Sequence, residues 1–195
     1  MEVAEVPSPI GVFRIVYEGR SVRLLDLLEP GVKPLAFPEE AKVRKRPFPA
    51  DSPPRQLLEY FQGHRARFDL DLELGSVSPF DQDVYRVLVG VPPGKTITYG
   101  ALARSSGHAG AARAVGGAMH RNPIPIVIPC HRILARGGLG GYSGGTGLPT
   151  KRALLALEGA APPEQIGRKS RVHSAAFSGP QARAEYAALF RPTSS

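Results

Sequence analysis

Residues 78–120 read SPFDQDVYRVLVGVPPGKTITYGALARSSGHAGAARAVGGAMH, and the architecture of the second half of the chain follows from this stretch. It opens with Ser78-Pro79-Phe80-Asp81: a hydroxyl N-cap, a proline at the first helical position and an acid three residues past the cap. Phe80, Val84, Val87, Leu88 and Val91 then recur at helical spacing, and Pro92-Pro93-Gly94 ends the run. Two more short helices are predicted near 98–106 and 110–121, on either side of Gly107-His108-Ala109-Gly110. Two short helices about a glycine-containing turn suggest a helix-turn-helix, although any small helical domain has such corners.

The second of these helices is made almost wholly of small residues. Gly110 to Met119 carries one long cation, Arg113, among Ala111, Ala112, Ala114, Gly116, Gly117 and Ala118. A helix that only fills a core uses Leu and Ile. Two glycines in mid-helix each cost about 1 kcal/mol against Ala, so a close approach must compensate. The partner is either another helix or a narrow minor groove that Arg113 enters as a wedge.

Towards the N-terminus the pattern changes from helical to alternating. Residues 10–28 read as two strands around a turn at Glu18, Gly19 and Arg20, with imperfect alternation in the second. Prolines break the sequence from Pro30 to Pro54, which reads as a long surface connection holding the basic run Lys42, Arg44, Lys45, Arg46 beside Glu39 and Glu40. A short helix is expected over 55–63. Phe68, Leu70, Leu72 and Leu74 alternate with Asp69, Asp71 and Glu73 as a half-buried strand should. The fold class is therefore α+β: a small sheet-and-helix domain over 1–78, a helical domain over 79–165 and a tail over 166–195.

Composition limits what such a chain does. With 195 residues and 42% apolar content it can bury a core, and it contains no apolar run near the roughly 18 residues needed to span a membrane. No membrane association is expected, and the acidic N-terminus does not read as a secretory signal, so the default location is cytoplasmic. One cysteine, Cys130, excludes disulfide scaffolds and multi-cysteine zinc sites. Neither metal nor cofactor is expected. Residues 1–80 carry 11 Lys+Arg against 12 Asp+Glu, net −1; residues 81–195 carry 14 against 5, net +9. A half that basic attracts a polyanion through counterion release, which makes nucleic acid the leading partner, although many basic proteins are merely soluble. Gly94-Lys95-Thr96 resembles the end of a phosphate loop, but Val89 stands where the earlier glycine is required, which excludes nucleotide hydrolysis.

The chemistry concentrates around the cysteine. Asn122-Pro123 stops the small-residue helix, and Ile124-Pro125-Ile126-Val127-Ile128-Pro129 is expected to run extended into Cys130-His131-Arg132. A lone cysteine is often a small buried hydrophobe. Here an imidazole and a guanidinium follow it, and a nucleophilic cysteine needs a base or a positive field. Neighbours in an extended segment point apart, so His131 would act through a bend or a bridging water. Glu158 falls in the last turn of a helix over 150–158, where the dipole disfavours a carboxylate, and it lies one turn after Leu154, facing the apolar side. A buried acid there needs a partner, either His131 or a nearby arginine. Seven glycines between Gly137 and Gly147 form either a plain flexible loop or a lid over a ligand.

These residues closely resemble the O6-alkylguanine-DNA alkyltransferases. The likeness rests on Pro129-Cys130-His131-Arg132, preceded by Arg113-Ala114-Val115-Gly116 and Asn122-Pro123, and followed by Tyr142-Ser143-Gly144-Gly145 and by Lys151 to Glu158-Gly159. It is specific from about Ser78 to Gly159 and weaker through a Ser8-Pro9-Ile10-Gly11 strand and the Tyr60-Phe61-Gln62-Gly63 helix end. The resemblance implies an RNase H-like N-terminal domain and a protein that acts alone on double-stranded DNA containing O6-alkylguanine, with no obligate protein partner. It would dock in the minor groove, flip the base and move the alkyl group irreversibly to Cys130. His131 would be the base acting through water, Glu158 its orienting carboxylate, and Asn122 a residue joining the two helices. Tyr99 would turn the target phosphate and donate to the base, and Ser143 would hydrogen-bond near O6. Tyr142, Met119, Pro125 and Ile133 would border the base. Arg113 would fill the gap in the stack, with Ala111, Ala112, Gly116 and Arg121 beside it on DNA. A non-catalytic damage binder of the alkyltransferase-like kind is the alternative, and Cys130 argues against it. Tyr85, where the family usually has Trp, Pro93, where Tyr is common, and a longer glycine loop before Lys151 are departures from the pattern.

Overall fold

Alternating apolar residues near the N-terminus build a three-stranded antiparallel meander, with strands β1 (Glu2–Ser8), β2 (Gly11–Glu18) and β3 (Ser21–Leu28) joined by two-residue turns. The computed structural model describes residues 1–28 and 42–160. The expected tail over 166–195 and most of the proline-rich connection lie outside those residues. Strand β1 is an addition to the expected pair, and Ser8 to Gly11 is the turn into β2, where Ser8 Oγ accepts from the Ile10 amide. The imperfect alternation of β3 has a physical cause. Val16 pairs with Leu24 but Tyr17 pairs with Val22, so Arg23 is an extra residue in a bulge. That bulge rephases the strand and lets Val22 and Leu25, three apart, both be buried.

Strand β4 (Lys42–Arg44) adds parallel to β1, and the short β5 (Asp71–Leu72) adds parallel to β3. The sheet order is β4-β1-β2-β3-β5. Residues 68–74 do alternate between half-buried and exposed, but only two of them enter the ladder. Helix α1 (Pro53–Phe61) packs on β1 and β2, with Phe61 stacked on Phe13 at 5.3 Å between centroids. Gln56 is buried and fully bonded: its Nε2 donates to the Asp51 and Asp69 carbonyls, and its Oε1 accepts from the Asp69 amide. This fixes the segment leading into β5 against the helix.

The chain forms two units, and the second begins at Glu73. Its first helix, α2 (Pro79–Val89), starts as the sequence indicates, with Ser78 Oγ accepting from the Asp81 amide at 3.2 Å. Ser78→Ala is expected to cost about 1 kcal/mol, lowering the melting temperature by about 2–4 °C in calorimetry. Helices α3 (Tyr99–Ser105) and α4 (Ala112–His120) follow, with Gly107 and Gly110 at positive φ in the turn between them. Two-residue strands β6 (Ile97–Thr98) and β7 (Ile133–Leu134) pair in parallel, and α5 (Leu148–Leu157) closes the described chain. Among the described residues no helix is long and apolar enough to cross a membrane.

Tyr85 takes the interior place between α2 and α4. It is fully buried and its hydroxyl donates to the Ala118 carbonyl at 2.6 Å. A phenol at this position therefore needs, and has, a partner.

Candidate active site

The expected strand before the cysteine is a turn. Ile128 N donates to the Ile124 carbonyl at 2.9 Å, a bridge joins Pro125 to Ile128, and Ile126 sits at φ 74°. A β-branched residue in the left-handed region costs of order 1–3 kcal/mol and persists only where its surroundings dictate it. Asn122 supplies that constraint. Its Nδ2 donates to the Ile128 carbonyl at 2.8 Å and its Oδ1 accepts from the Ile124 amide at 3.0 Å. Asn122 therefore closes the turn on the nucleophile. The alternation of Ile and Pro imitated a strand because prolines remove ladder donors without changing the apolar pattern.

Cys130 to Arg132 form a single 3-10 turn, so Cys130 and His131 are splayed by a bend rather than by extended geometry. Cys130 lines a cavity of about 280 Å³ with Tyr99, Gly116, Met119, His120, Gly141, Tyr142 and Ser143. The β6–β7 pairing brings the start of α3, and hence Tyr99, to the segment just after the cysteine turn. Gly140 is required there: at φ 69°, a Cβ on it would lie 3.1 Å from Ala135 N and 3.3 Å from the Tyr99 ring. Of the residues expected to border a base, Tyr99, Met119, Tyr142 and Ser143 reach the cavity. Pro125 and Ile133 do not: Pro125 belongs to the turn and Ile133 is buried in β7.

The sequence left Glu158 a choice between His131 and an arginine, and the structure gives it both. Its buried carboxylate meets His131 Nε2 at 2.8 Å and accepts from Arg132 Nε at 2.9 Å and Nη2 at 2.7 Å. Arg132 Nη1 donates to the Val91 carbonyl at 2.5 Å. Burial alone would raise the Glu158 carboxyl, but the hydrogen bonds from His131 and Arg132 outweigh it and hold the group well below the usual carboxylate range. Burial likewise lowers His131, against the pull of Glu158, so the imidazole is neutral. A neutral ring facing an ionised carboxylate carries its proton on Nε2, which leaves Nδ1 as the acceptor. That Nδ1 is buried and has no hydrogen-bond partner among the described residues.

Burial pushes the Cys130 thiol up, opposed by hydrogen bonds to its sulfur from the Asn122 amide and the Tyr142 hydroxyl and by the charge of Lys151. Nucleophilic attack requires that the thiol proton leave. Lys151 was not read from the sequence as a buried cation, and neither His120 nor Gly141 as a cavity residue. A lysine in an amphipathic helix reads as exposed unless the loop folded over it is known.

Arg113 is exposed on α4, and Gly116 and His120 follow at i+3 and i+7, so all three share one stripe of the helix. Ala111 caps α4 and Ala112 begins it, both half-buried. Arg121, expected beside Arg113 on DNA, also has a partner within the protein. Its Nε and Nη2 donate to both oxygens of buried Asp81 at 2.9 and 2.8 Å, tying the end of α4 to the first turn of α2. The two mid-helix glycines have different surroundings. A Cβ on Gly117 would lie 3.1 Å from Arg121 Nη1, whereas a Cβ on Gly116 would meet nothing within 4 Å and borders the cavity.

A cavity-lining cysteine next in sequence to a buried histidine–glutamate pair, with small residues of α4 on the same cavity, has the chemistry of a thiol that can accept a transferred group. Residues 79–160 match the family model described as 6-O-methylguanine DNA methyltransferase, DNA binding domain. The chain is 38% identical over 164 residues to the methylated-DNA--protein-cysteine methyltransferase of Mycobacterium bovis, covering 83% of this chain and 94% of that protein. To the Methanosarcina acetivorans protein of the same name it is 37% identical, covering 82% and 99%. The crystal structure of Mycobacterium tuberculosis OGT in complex with DNA superposes with a TM-score of 0.68 at 37% identity, covering 81% of this chain and 92% of that one. The chain belongs to the methylated-DNA--protein-cysteine methyltransferase family.

Proposed function

We propose that this protein repairs DNA by direct reversal, taking the alkyl group of an O6-alkylguanine onto Cys130. The observation that carries the reading is a cavity-lining thiol followed, in the same 3-10 turn, by a buried imidazole that is bonded through Nε2 to Glu158 and whose Nδ1 has no partner among the described residues. A water between Cys130 Sγ and His131 Nδ1 would carry the proton from sulfur to the ring, and Glu158 would stabilise the resulting imidazolium. The thiolate attacks the alkyl carbon, the S–C bond forms as the C–O6 bond breaks, and guanine leaves with the electron pair and regains a proton. Cys130 becomes a thioether. Among the described residues no group near it can release an alkyl from sulfur, so each chain acts once.

We read α3, the Gly107–Gly110 turn and α4 as a helix-turn-helix within a catalytic domain over 79–165, preceded by an α+β domain over 1–78. The first is supported by the two helices about their positive-φ glycines, and an RNase H-like second by the β1–β3 meander with β4 parallel to β1. A reactive free thiol suits a reducing, cytoplasmic setting. Tyr99, Met119, Tyr142 and Ser143 would contact the flipped base, and the narrow profile of Ala111, Ala112 and Gly116 would let α4 enter a minor groove. Intact mass after incubation with duplex DNA containing O6-methylguanine tests the whole reading: one methyl, about 14 Da, per chain and no more.

Arg113 stands one turn before the cavity residue Gly116, where a planar guanidinium would fill the gap left by an extruded base. Arg113→Ala is expected to slow repair of duplex DNA at least tenfold more than reaction with free O6-benzylguanine, because a flipped-base vacancy costs about 1.4 kcal/mol or more when nothing fills it. Equal losses on the two substrates would place Arg113 in the pocket or in folding instead.

A further inference from the structure

Helix α4 gives the cavity Gly116, Met119 and His120, and the last two lie in its final turn. That turn follows the Gly116-Gly117 pair, and adjacent glycines weaken a helix through the backbone freedom they must give up. What holds it comes from α2. Asp81 and Tyr85 are four residues apart, hence on one face of α2, and both are buried. The Tyr85 hydroxyl donates to the Ala118 carbonyl at 2.6 Å, just before Met119. Asp81 accepts from Nε and Nη2 of Arg121 at 2.9 and 2.8 Å, just after His120. The two contacts thus bracket the two cavity residues. Charge favours this clasp as well, since an acid in the first turn of α2 and a cation at the end of α4 each complement the dipole of their own helix. Gly117 leaves room for it, because a Cβ there would lie 3.1 Å from Arg121 Nη1, where the guanidinium folds back along the helix. The other end of α4 is held separately: in the turn before it, His108 Nε2 lies 3.1 Å from Asp83 Oδ2, and the His108 ring meets Phe80 at 4.6 Å between centroids.

We propose that Asp81 and Tyr85 are positioning residues of the transfer site: from α2, outside the cavity, they keep the last turn of α4 closed and so place Met119 and His120 against the purine. This rests on the transfer reading above and extends it to residues that do not line the cavity. A bidentate, charge-assisted contact fixes direction as well as distance, which apolar packing alone does not. The Tyr85 hydroxyl adds a second fixed point on the other side of the two cavity residues. A wall that opens part of the time raises the substrate concentration needed to fill the cavity. It leaves the chemistry of the filled cavity alone, because bound substrate selects the closed form. Loss of the clasp therefore shows in half-saturation and not in the limiting rate.

The test compares the full chain, wild type, with Asp81→Asn, Tyr85→Phe and Asp83→Asn. Amide hydrogen exchange is followed in the protein without ligand, and the rate of Cys130 alkylation is followed against the concentration of O6-benzylguanine, both well below each variant's melting transition. Asp81→Asn and Tyr85→Phe are expected to speed exchange of the Met119 and His120 amides and to raise the half-saturating concentration, each by about tenfold, at an unchanged limiting rate. Asp83→Asn, which loosens only the other end of α4, should do neither. Wild-type exchange in both clasp variants would overturn the clasp. Faster exchange with wild-type half-saturation would overturn its positioning role, and so would an equal rise in Asp83→Asn, which would mean a general loss of packing on α2. Should Asp81→Asn fail to fold, Tyr85→Phe decides alone, since it removes one oxygen and leaves the Asp81–Arg121 pair in place. Hydrogen exchange needs no substrate. If the wild type takes no alkyl group from O6-benzylguanine or from O6-methylguanine duplex while the variants exchange faster at Met119 and His120, the transfer reading fails and the clasp on the cavity wall stands.

Discussion

Cys130→Ser is expected to bind O6-methylguanine duplex as the wild type does and to gain no mass at all, whereas the wild type gains one methyl, about 14 Da. The substitution removes one atom's identity and little else. Serine keeps the backbone turn and can still accept from Asn122 and Tyr142, so the cavity walls need not move. What is lost is a soft nucleophile with a pKa within reach of a histidine: a hydroxyl gives up its proton far less readily, and its oxygen is the poorer acceptor for an alkyl carbon. Intact mass and an electrophoretic binding assay, run on the same samples, separate the two properties. Methylation of the serine variant, or many turnovers by the wild type, would sink the acceptor assignment.

How far the sequence carried this reading depended on whether a feature was local. The Ser78 cap, the α2 periodicity, the two glycine-bounded helices and the β2–β3 turn are all written in short windows, and each stands where its residues put it. Strand β1 was less legible because Glu2, Glu5, Pro7 and Ser8 dilute its alternation, and its partner β2 supplies the order. The β3 bulge was invisible, since an extra residue in one strand is defined only by its neighbour. At the site, the chemistry of Cys130, His131 and Glu158 could be read from residue type and helix position. The sharing of Glu158 between His131 and Arg132 could not, because adjacent residues reach one carboxylate only when the chain bends into a 3-10 turn. The bond of Arg121 to Asp81 was hidden for a related reason: forty residues separate the pair, and no short window of sequence brings them together.

Glu158→Gln is expected to cost both rate and stability, and the two losses have different sources. In the wild type the carboxylate serves a neutral imidazole and a guanidinium at once, with Arg132 also bonded to the Val91 carbonyl. An amide of the same shape keeps one acceptor and turns two N–H donors towards a pair of donors. Arg132 is left a buried charge without its counter-ion, at about 3–5 kcal/mol, which lowers the melting temperature by on the order of 10 °C in a chain of this size. Loss of the ionised acid also removes the charge that stabilises imidazolium as the Cys130 proton leaves, slowing transfer by about 100-fold. The pH dependence identifies the carboxylate as the cause. A carboxyl held below its ordinary 4.5 contributes stability that is present above that value and is lost as pH falls towards the depressed one. His131, held below its ordinary 6.5, also makes the fold lose stability as pH falls, and without the pull of Glu158 it is held lower still, so that loss runs further in the variant. Calorimetry should therefore find the gap between wild type and Glu158→Gln undiminished from neutral pH down to about 4.5 and closing only below it. A gap that persists unchanged into that range would mean that shape rather than charge is lost, and an unaltered transfer rate would remove Glu158 from the proton path while leaving it the counter-ion of Arg132.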